Sequence, residues 1–249
     1  MKYDHLSVVL VAPQGPLNVG STCRTMMNFG FSDLRLVNPC KAYQGLDARK
    51  MALSAQPMLK KARLFDNLPD ALADCHLAFG TTRRFGKDRN NFLTPDAAGE
   101  KIAGLGDSFR CALVLGREDN GLTTKELSLC QHFITIPTED AFASMNLSHA
   151  LTLFLYEISK TMKSGHREPM AQGQLATMEA SEQMYTHMKE TLCAIEYLDP
   201  QNPDHLLKTF RRIFSRACLK ERDVKIIRGL MSRIDWINEH ANNKKISNS

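Results

Sequence analysis

Apolar residues fall into short unbroken runs over roughly the first two thirds of the chain and into helical periods after that. The runs are LSVVLVA at 6–12, DLRLV at 33–37, CHLAFG at 75–80, CALVLG at 111–116 and HFITIP at 132–137. Each is short, rich in aliphatic or β-branched residues and bounded by turn formers, the pattern of strands buried on both faces. A weaker strand signal lies at 62–65. The polar stretches between the runs open helices. Asn18 is placed to cap one that stops at Gly30, residues 47–53 and 68–74 read as short helices, Pro95 starts another, and a longer one begins near Ser144 and runs to about Met162. This alternation predicts an α/β fold with a mainly parallel sheet and right-handed crossovers; pattern alone makes it doubly wound and unknotted.

Beyond residue 162 the strand signals end. KSGHREPMAQGQ, residues 163–174, holds two glycines and a proline among polar residues and reads as a linker. From 175 to 249 only helical periods remain: Tyr185, Met188, Leu192 and Ile195, then Leu206, Phe210, Ile213 and Phe214, then Ile227, Leu230, Met231, Ile234 and Ile237. The expected organisation is an α/β domain over 1–162, a linker over 163–174 and a small all-α domain over 175–249.

At 249 residues, 43% hydrophobic and 24% charged, the composition is that of a soluble globular protein. No apolar run approaches the roughly 18 to 20 residues of a membrane span. The opening MKYDHLSVVLVAPQG lacks the layout of a secretory signal, so a cytoplasmic protein is expected. The 7 cysteines are odd in number, form no C-x-x-C pair and have no metal-type spacing to histidine; reduced thiols and no structural metal are expected.

A net charge of +5 identifies no partner by itself, but its placement says more. The loop after the third run, from Thr81 to Asn91, carries Arg83, Arg84, Lys87 and Arg89 against Asp88. In the helical region, Lys208, Arg211, Arg212 and Arg216 recur at spacings that give one stripe. A solvated helix face explains such a stripe, and so does phosphate binding.

Four polar segments are delivered to carboxyl ends of parallel strands, where open α/β sheets bind ligands. They are Asn18 to Arg24, Thr81-Thr82-Arg83, Gly116 to Leu122, and Ile136 to Asn146. Glycines at 116 and 121 permit close backbone approach or positive φ, and exposed backbone amides suit a nucleoside-containing ligand. No G-x-G-x-x-G follows the first strand, against a dinucleotide dehydrogenase, and no P-loop is present. Plainer readings exist: Asn18 and Asn146 as caps, Arg24 and Glu118 as members of local pairs. Ser148 and His149 are sequence neighbours on a helix and do not face each other, which disfavours a nucleophile pair.

N-V-G-S-T-C-R at 18–24, G-R-E-D-N-G-L at 116–122, and I-P at 136–137 followed by S-M-N-L-S at 144–148 resemble the three motifs of the SpoU/TrmH branch of the SPOUT RNA methyltransferases. The Thr-Thr-Arg loop and the helical extension are similar to its TrmJ group, which methylates the ribose 2′-hydroxyl at the first nucleotide of the tRNA anticodon loop. The resemblance implies a deep trefoil knot, S-adenosylmethionine as methyl donor, tRNA as substrate and a homodimer. It places Thr81, Thr82, Arg83, Leu115, Gly116, Ile136, Ser144, Met145 and Asn146 at the donor site, and Asn18, Arg24, Glu118 and Asn146 at the catalytic centre. Arg84, Lys87, Arg89 and the Lys208, Arg211, Arg212 and Arg216 stripe would contact RNA. Met145 stands where related sequences often have leucine, a swap of similar size. Two other readings share much of this pattern: a ribosomal-RNA 2′-O-methyltransferase of the same family, and a non-catalytic RNA-binding protein of this fold.

Overall fold

The computed structural model describes residues 3–83, 92–106, 109–139, 144–164 and 175–247. The chain divides into two compact units, Met1–Gln172 and Gly173–Ser249.

The first unit holds a seven-stranded sheet: β1 (Tyr3–Val11), β2 (Phe31–Val37), β3 (Arg63–Phe65), β4 (Leu77–Thr81), β5 (Phe92–Leu93), β6 (Cys111–Leu115) and β7 (His132–Ile134). Their order is β3-β2-β1-β6-β4-β7-β5, and every neighbouring pair is parallel. The central strands are closed off on both faces: Leu6, Val8, Val9 and Leu10 of β1 and Cys111 to Val114 of β6 have no exposed surface. That is the condition a parallel sheet needs and the reason these runs are apolar without alternation.

The helices are α1 (Pro16–Phe29), α2 (Leu46–Ala52), α3 (Gln56–Lys61), α4 (Leu68–Leu72), α5 (Pro95–Gly104), α6 (Thr124–Leu127) and α7 (Leu147–Ser164). α1 packs on α2 and α7, and α5 on α7. Gly20 makes the first of these contacts possible: a Cβ there would lie 2.2 Å from the carbonyl oxygen of Ala48. Gly30 closes α1 in the left-handed conformation at φ 84°, as its place after the last apolar turn predicts.

Several boundaries differ from the sequence expectation. α1 starts at Pro16, with Gly15 in the capping position, so Asn18 lies inside the first turn and is not the cap. Proline at the first helical position forgoes an amide that would lack a partner anyway, and this overrides the preference for Asn as cap. α3 and the two-residue β5 have no counterpart among the expected elements. α7 begins at Leu147, after Ser144, and continues through Ser164 into the stretch read as linker. Residues 165–174, the rest of that stretch, lie outside the described residues.

At the amino-terminal end of the sheet sits a buried ionic cluster that the sequence reading passed over. Arg35 has no exposed surface, yet its guanidinium is held by Asp33 (Nη2 to Oδ2, 2.7 Å), by Asp74 (Nη2 to Oδ2, 3.0 Å) and by the Ala71 carbonyl (2.7 Å). Arg110 adds a second pair to Asp74 at 2.6 Å.

The second unit contains α8 (Met178–Ala194), α9 (Asp204–Ala217) and α10 (Glu221–Ser247). Met188, Leu192, Leu198, Leu207 and Met231 form its core, with Leu206, Phe210, Phe214, Ile227 and Ile234 packed around it. Ile195, Ile213, Leu230 and Ile237, expected in the helical core, are 39%, 51%, 57% and 52% exposed. Ile195 falls past the end of α8, while α9 and α10 turn the other three outward.

Candidate active site

The parallel strands carry the segments after β1, β4, β6 and β7 to one rim of the sheet. The loop after β6 is the most constrained. Arg117 N–H donates to the Gly121 carbonyl at 3.3 Å and Gly121 N–H returns to the Arg117 carbonyl at 2.9 Å. Gly121 takes φ +65°, and a Cβ on Gly116 would come within 2.1 Å of the Gly121 carbonyl carbon. Both glycines are therefore required by the turn itself. The Arg117 guanidinium makes two parallel bonds of 3.0 Å to Glu126, which also closes a capping box with Thr123 at the start of α6. Neither Arg117 nor Glu126 was singled out in the sequence, although T-x-x-E is a legible cap signature.

This turn aims Glu118 at the entrance to α1. Its Oε2 accepts from Gln14 N–H at 2.9 Å, and its Oε1 accepts from Gly15 N–H and from Asn18 Nδ2, both at 2.9 Å. Asn18 Oδ1 in turn accepts from Asn146 Nδ2 at 3.0 Å. Asn146 Oδ1 accepts from Ser148 N–H at 2.9 Å and Ser148 Oγ at 2.7 Å, and so caps α7. One hydrogen-bonded line thus runs from Glu118 through Asn18 to Asn146, joining residues 100 and 128 positions apart. Burial pulls the Glu118 pKa up, but the bonds from Asn18, Gln14 and Gly15 outweigh it and leave the carboxyl below its ordinary value. Glu118 is ionised at neutral pH, and three donors already occupy it.

Thr81, Thr82 and Arg83 after β4, Leu115 and Gly116 at the end of β6, and Ile136, Ser144 and Met145 after β7 line one cleft. Glu118 reaches the same cleft, and Leu122, Leu147 and Phe154 form apolar parts of its wall. Thr81 Oγ1 is turned into the sheet, donating to the Val114 carbonyl at 3.1 Å. Asn146 is not part of this lining; it stands beside it, bonded to Asn18. Arg24 lies on the exposed side of α1 and has no ion-pair partner among the described residues, which removes the reading of it as half of a local pair. Ser148 is buried with its hydroxyl committed to Asn146 while His149 is exposed, so the two form no nucleophile–base pair. Burial pushes the Cys23, Cys75 and Cys130 thiols up to about 12, leaving them protonated packing residues. Among the described residues no group of side chains could hold a metal ion, and no helix is long and apolar enough to cross a membrane.

In the second unit, Lys208, Arg212 and Arg216 are exposed on α9. Arg211 departs from that stripe. Its guanidinium lies 4.2 Å from the Tyr185 ring centroid and is bonded to both carboxylate oxygens of Glu182, with Nη2 at 2.7 Å from Oε2. Arg211 therefore joins α9 to α8. Arg84, Lys87 and Arg89 lie outside the described residues.

Similarity to known proteins gives this architecture its class. The profile of the SpoU rRNA Methylase family matches residues 5–156, and that of the tRNA methyltransferase TrmJ C-terminal domain matches residues 179–246. The chain belongs to the SpoU methylase family. Within it, the similarity is to proteins named TrmJ. The tRNA (cytidine/uridine/adenosine-2′-O-)-methyltransferase TrmJ of Pseudomonas aeruginosa is 33% identical over 92% of this chain and 93% of its own. The tRNA (cytidine/uridine-2′-O-)-methyltransferase TrmJ of Klebsiella pneumoniae is 30% identical over 95% and 98%. The crystal structure of TrmJ from Z. mobilis ZM4 superposes with a TM-score of 0.81 at 29% identity, covering 92% of this chain and 98% of that one.

Proposed function

We propose that this protein is an S-adenosylmethionine-dependent tRNA ribose 2′-O-methyltransferase, acting on cytidine or uridine at the first nucleotide of the anticodon loop. The observation that carries the reading is the line of hydrogen bonds from Glu118 through Asn18 to Asn146, which draws three distant motifs together beside the cleft. The cleft suits the methyl donor chemically: apolar Leu115, Ile136 and Met145 for an adenine ring, threonine and backbone polar groups for a ribose, and Arg83 for a carboxylate. The donor supplies an activated sulfonium methyl group.

The protein's own residues supply position. A guanidinium offers five N–H donors and no acceptor, so Arg24 is built to hold the ribose and its phosphate rather than to take the 2′-hydroxyl proton. Glu118 is ionised, three of its roughly four acceptor positions are taken by donors from Gln14, Gly15 and Asn18, and it serves to fix α1 and Asn18. Arg24 is assigned as the clamp on the target ribose and its phosphate, orienting the 2′-oxygen in line with the methyl group, and the hydroxyl proton is released to solvent water as the oxygen–methyl bond forms. Exposed apolar residues on the two packed helices α1 (Leu17, 50%; Met27, 52%) and α7 (Leu153, 40%; Tyr156, 50%) support a homodimer formed through that face. The interior position of β6, between β1 and β4, is consistent with the trefoil crossing the family implies.

The carboxy-terminal unit from residue 175 is assigned to RNA, with Lys208, Arg212 and Arg216 on phosphates. A match to the TrmJ C-terminal domain favours tRNA over ribosomal RNA as substrate. Incubating the purified protein with S-adenosylmethionine and unmodified tRNA, then mapping methylated nucleosides by mass spectrometry, tests the assignment. A 2′-O-methyl group at the first anticodon-loop nucleotide is the expected product; no transfer to any tRNA sinks it, and leaves the ribosomal-RNA and non-catalytic readings.

A further inference from the structure

The outward face of α10 carries a pattern that the second unit's own packing does not use. Arg222, Ile226, Gly229, Arg233, Trp236 and His240 follow one another at spacings of four, three, four, three and four residues, forming a stripe opposite the buried Val224 and Met231. Within it, the Arg233 guanidinium lies 4.3 Å from the Trp236 ring centroid, and the His240 ring is stacked at 3.9 Å and 30°. His240 Nδ1 is fixed at 2.8 Å from the Trp236 carbonyl. Trp236 is nevertheless 46% exposed and Ile226 60%. Planar groups three residues before and four after the indole thus make a short ready-made stack on the surface.

Charge decides what fits it. Arg222, Lys225, Arg228 and Arg233 are exposed on this helix. Of its acidic residues, Asp223 is turned to the Lys220 amide at 2.9 Å, Asp235 to His187 at 2.8 Å, and Glu221 lies 4.0 Å from Lys225. Only Glu239 faces outward among the described acidic side chains of α10 without a partner of this kind. An apolar protein helix would meet a row of cations here, whereas a nucleobase with its phosphate meets a stack and its counter-charge. Gly229 adds an independent sign. Glycine is the poorest helix former after proline, it lies mid-helix, and a Cβ there would meet nothing within 4 Å. Internal packing gives no reason for it, while an RNA backbone lying close along the stripe does.

We infer that the Arg222–His240 stripe of α10 is a binding platform for unpaired RNA, taking an unstacked base on the end of the Arg233–Trp236–His240 stack and a phosphate of the same strand on Arg222. The inference rests on the tRNA reading for the identity of its ligand, and it is separate from the α9 stripe. Trp236 is the chain's 1 tryptophan, so intrinsic fluorescence of the full-length protein reports directly on this position. Titration with a short single-stranded oligoribonucleotide should quench it saturably and in a salt-dependent way, and the same sequence annealed to its complement should quench it less. Arg233→Ala, which keeps the reporter, should weaken that binding at least about fivefold. Gly229→Gln should weaken it as well while leaving thermal stability equal or higher. Absence of quenching, equal quenching by duplex, or unchanged affinity in both variants overturns the platform even if methyl transfer to tRNA is intact. Loss of self-association in Trp236→Ala by sedimentation also overturns it, in favour of a protein interface. Quenching without methyl transfer would instead retain the platform and strike at the enzymatic reading.

Discussion

Arg24 and Asp74 show two ways in which one charged residue is fixed by what surrounds it. Arg24 is exposed and has no carboxylate partner among the described residues, as the proposed clamp requires. Arg24→Lys keeps the charge and removes the planar fork, and should reduce kcat by about a hundredfold or more, since misplacement of a positioned group costs that much. A clamp predicts a loss that is the same at every pH; recovery at high pH would mark Arg24 as a base. Asp74 is a matter of stability. Burial raises its pKa, the bonds from Arg35 and then Arg110 outweigh that, and the carboxyl settles at about 2. Because this lies below the ordinary value of about 4, its contribution is complete above that value and is lost as pH falls through 2. Asp74→Asn should lower the melting temperature at neutral pH and flatten its dependence between about pH 4 and 2. An acid limb as steep as that of the unsubstituted protein would contradict this. Residues of this kind are partly legible in sequence: Asp33 and Arg35, two apart in a strand, had to share a face. Arg211 was not legible that way, because Glu182, the group that removes it from the basic stripe, lies 29 residues earlier on another helix.

Among the elements, the strands were readable and the short pieces were not. β1, β2, β4 and β6 announce themselves because burial on both faces demands continuous apolar runs. β5 has two residues, and α3 six, too few for either period to register. At the start of α1 the helix-starting proline Pro16 overrides the capping preference of Asn18, and inside the first turn the Asn18 amide joins Glu118 to Asn146. The 116–122 turn was recognisable by its glycines, though that Gly116 faces its own loop follows only from the fold. Gly116→Ala would drive a methyl group into the backbone of Gly121 and Leu122. It should cost on the order of 1–3 kcal/mol of stability and abolish donor binding together, read by denaturant melts and calorimetry. Normal stability with normal donor uptake would show that the turn has room to adjust.

For the whole molecule, the exposed apolar side chains of α1 and α7 set the expected assembly. Leu17→Glu combined with Tyr156→Glu should turn a dimer into monomers in sedimentation velocity and remove methyl transfer, while the circular dichroism of the fold persists. A dimer that survives both substitutions would place its interface elsewhere. The homodimer is an expectation of the family resemblance and not of the hydrophobic pattern, since an apolar residue facing a partner copy and one facing the core obey the same period.

The sheet order also governs when this protein can exist. β6 occupies a slot between β1 and β4, so those two strands, formed early in the chain, stay apart until residues 111–115 arrive. A nascent polypeptide emerging from the ribosome therefore carries both unfilled hydrogen-bonding edges from the end of β4 at residue 81 until β6 is made at 111–115, and such edges are where aggregation starts. Chaperone demand should be concentrated in that interval and should fall once β6 is inserted.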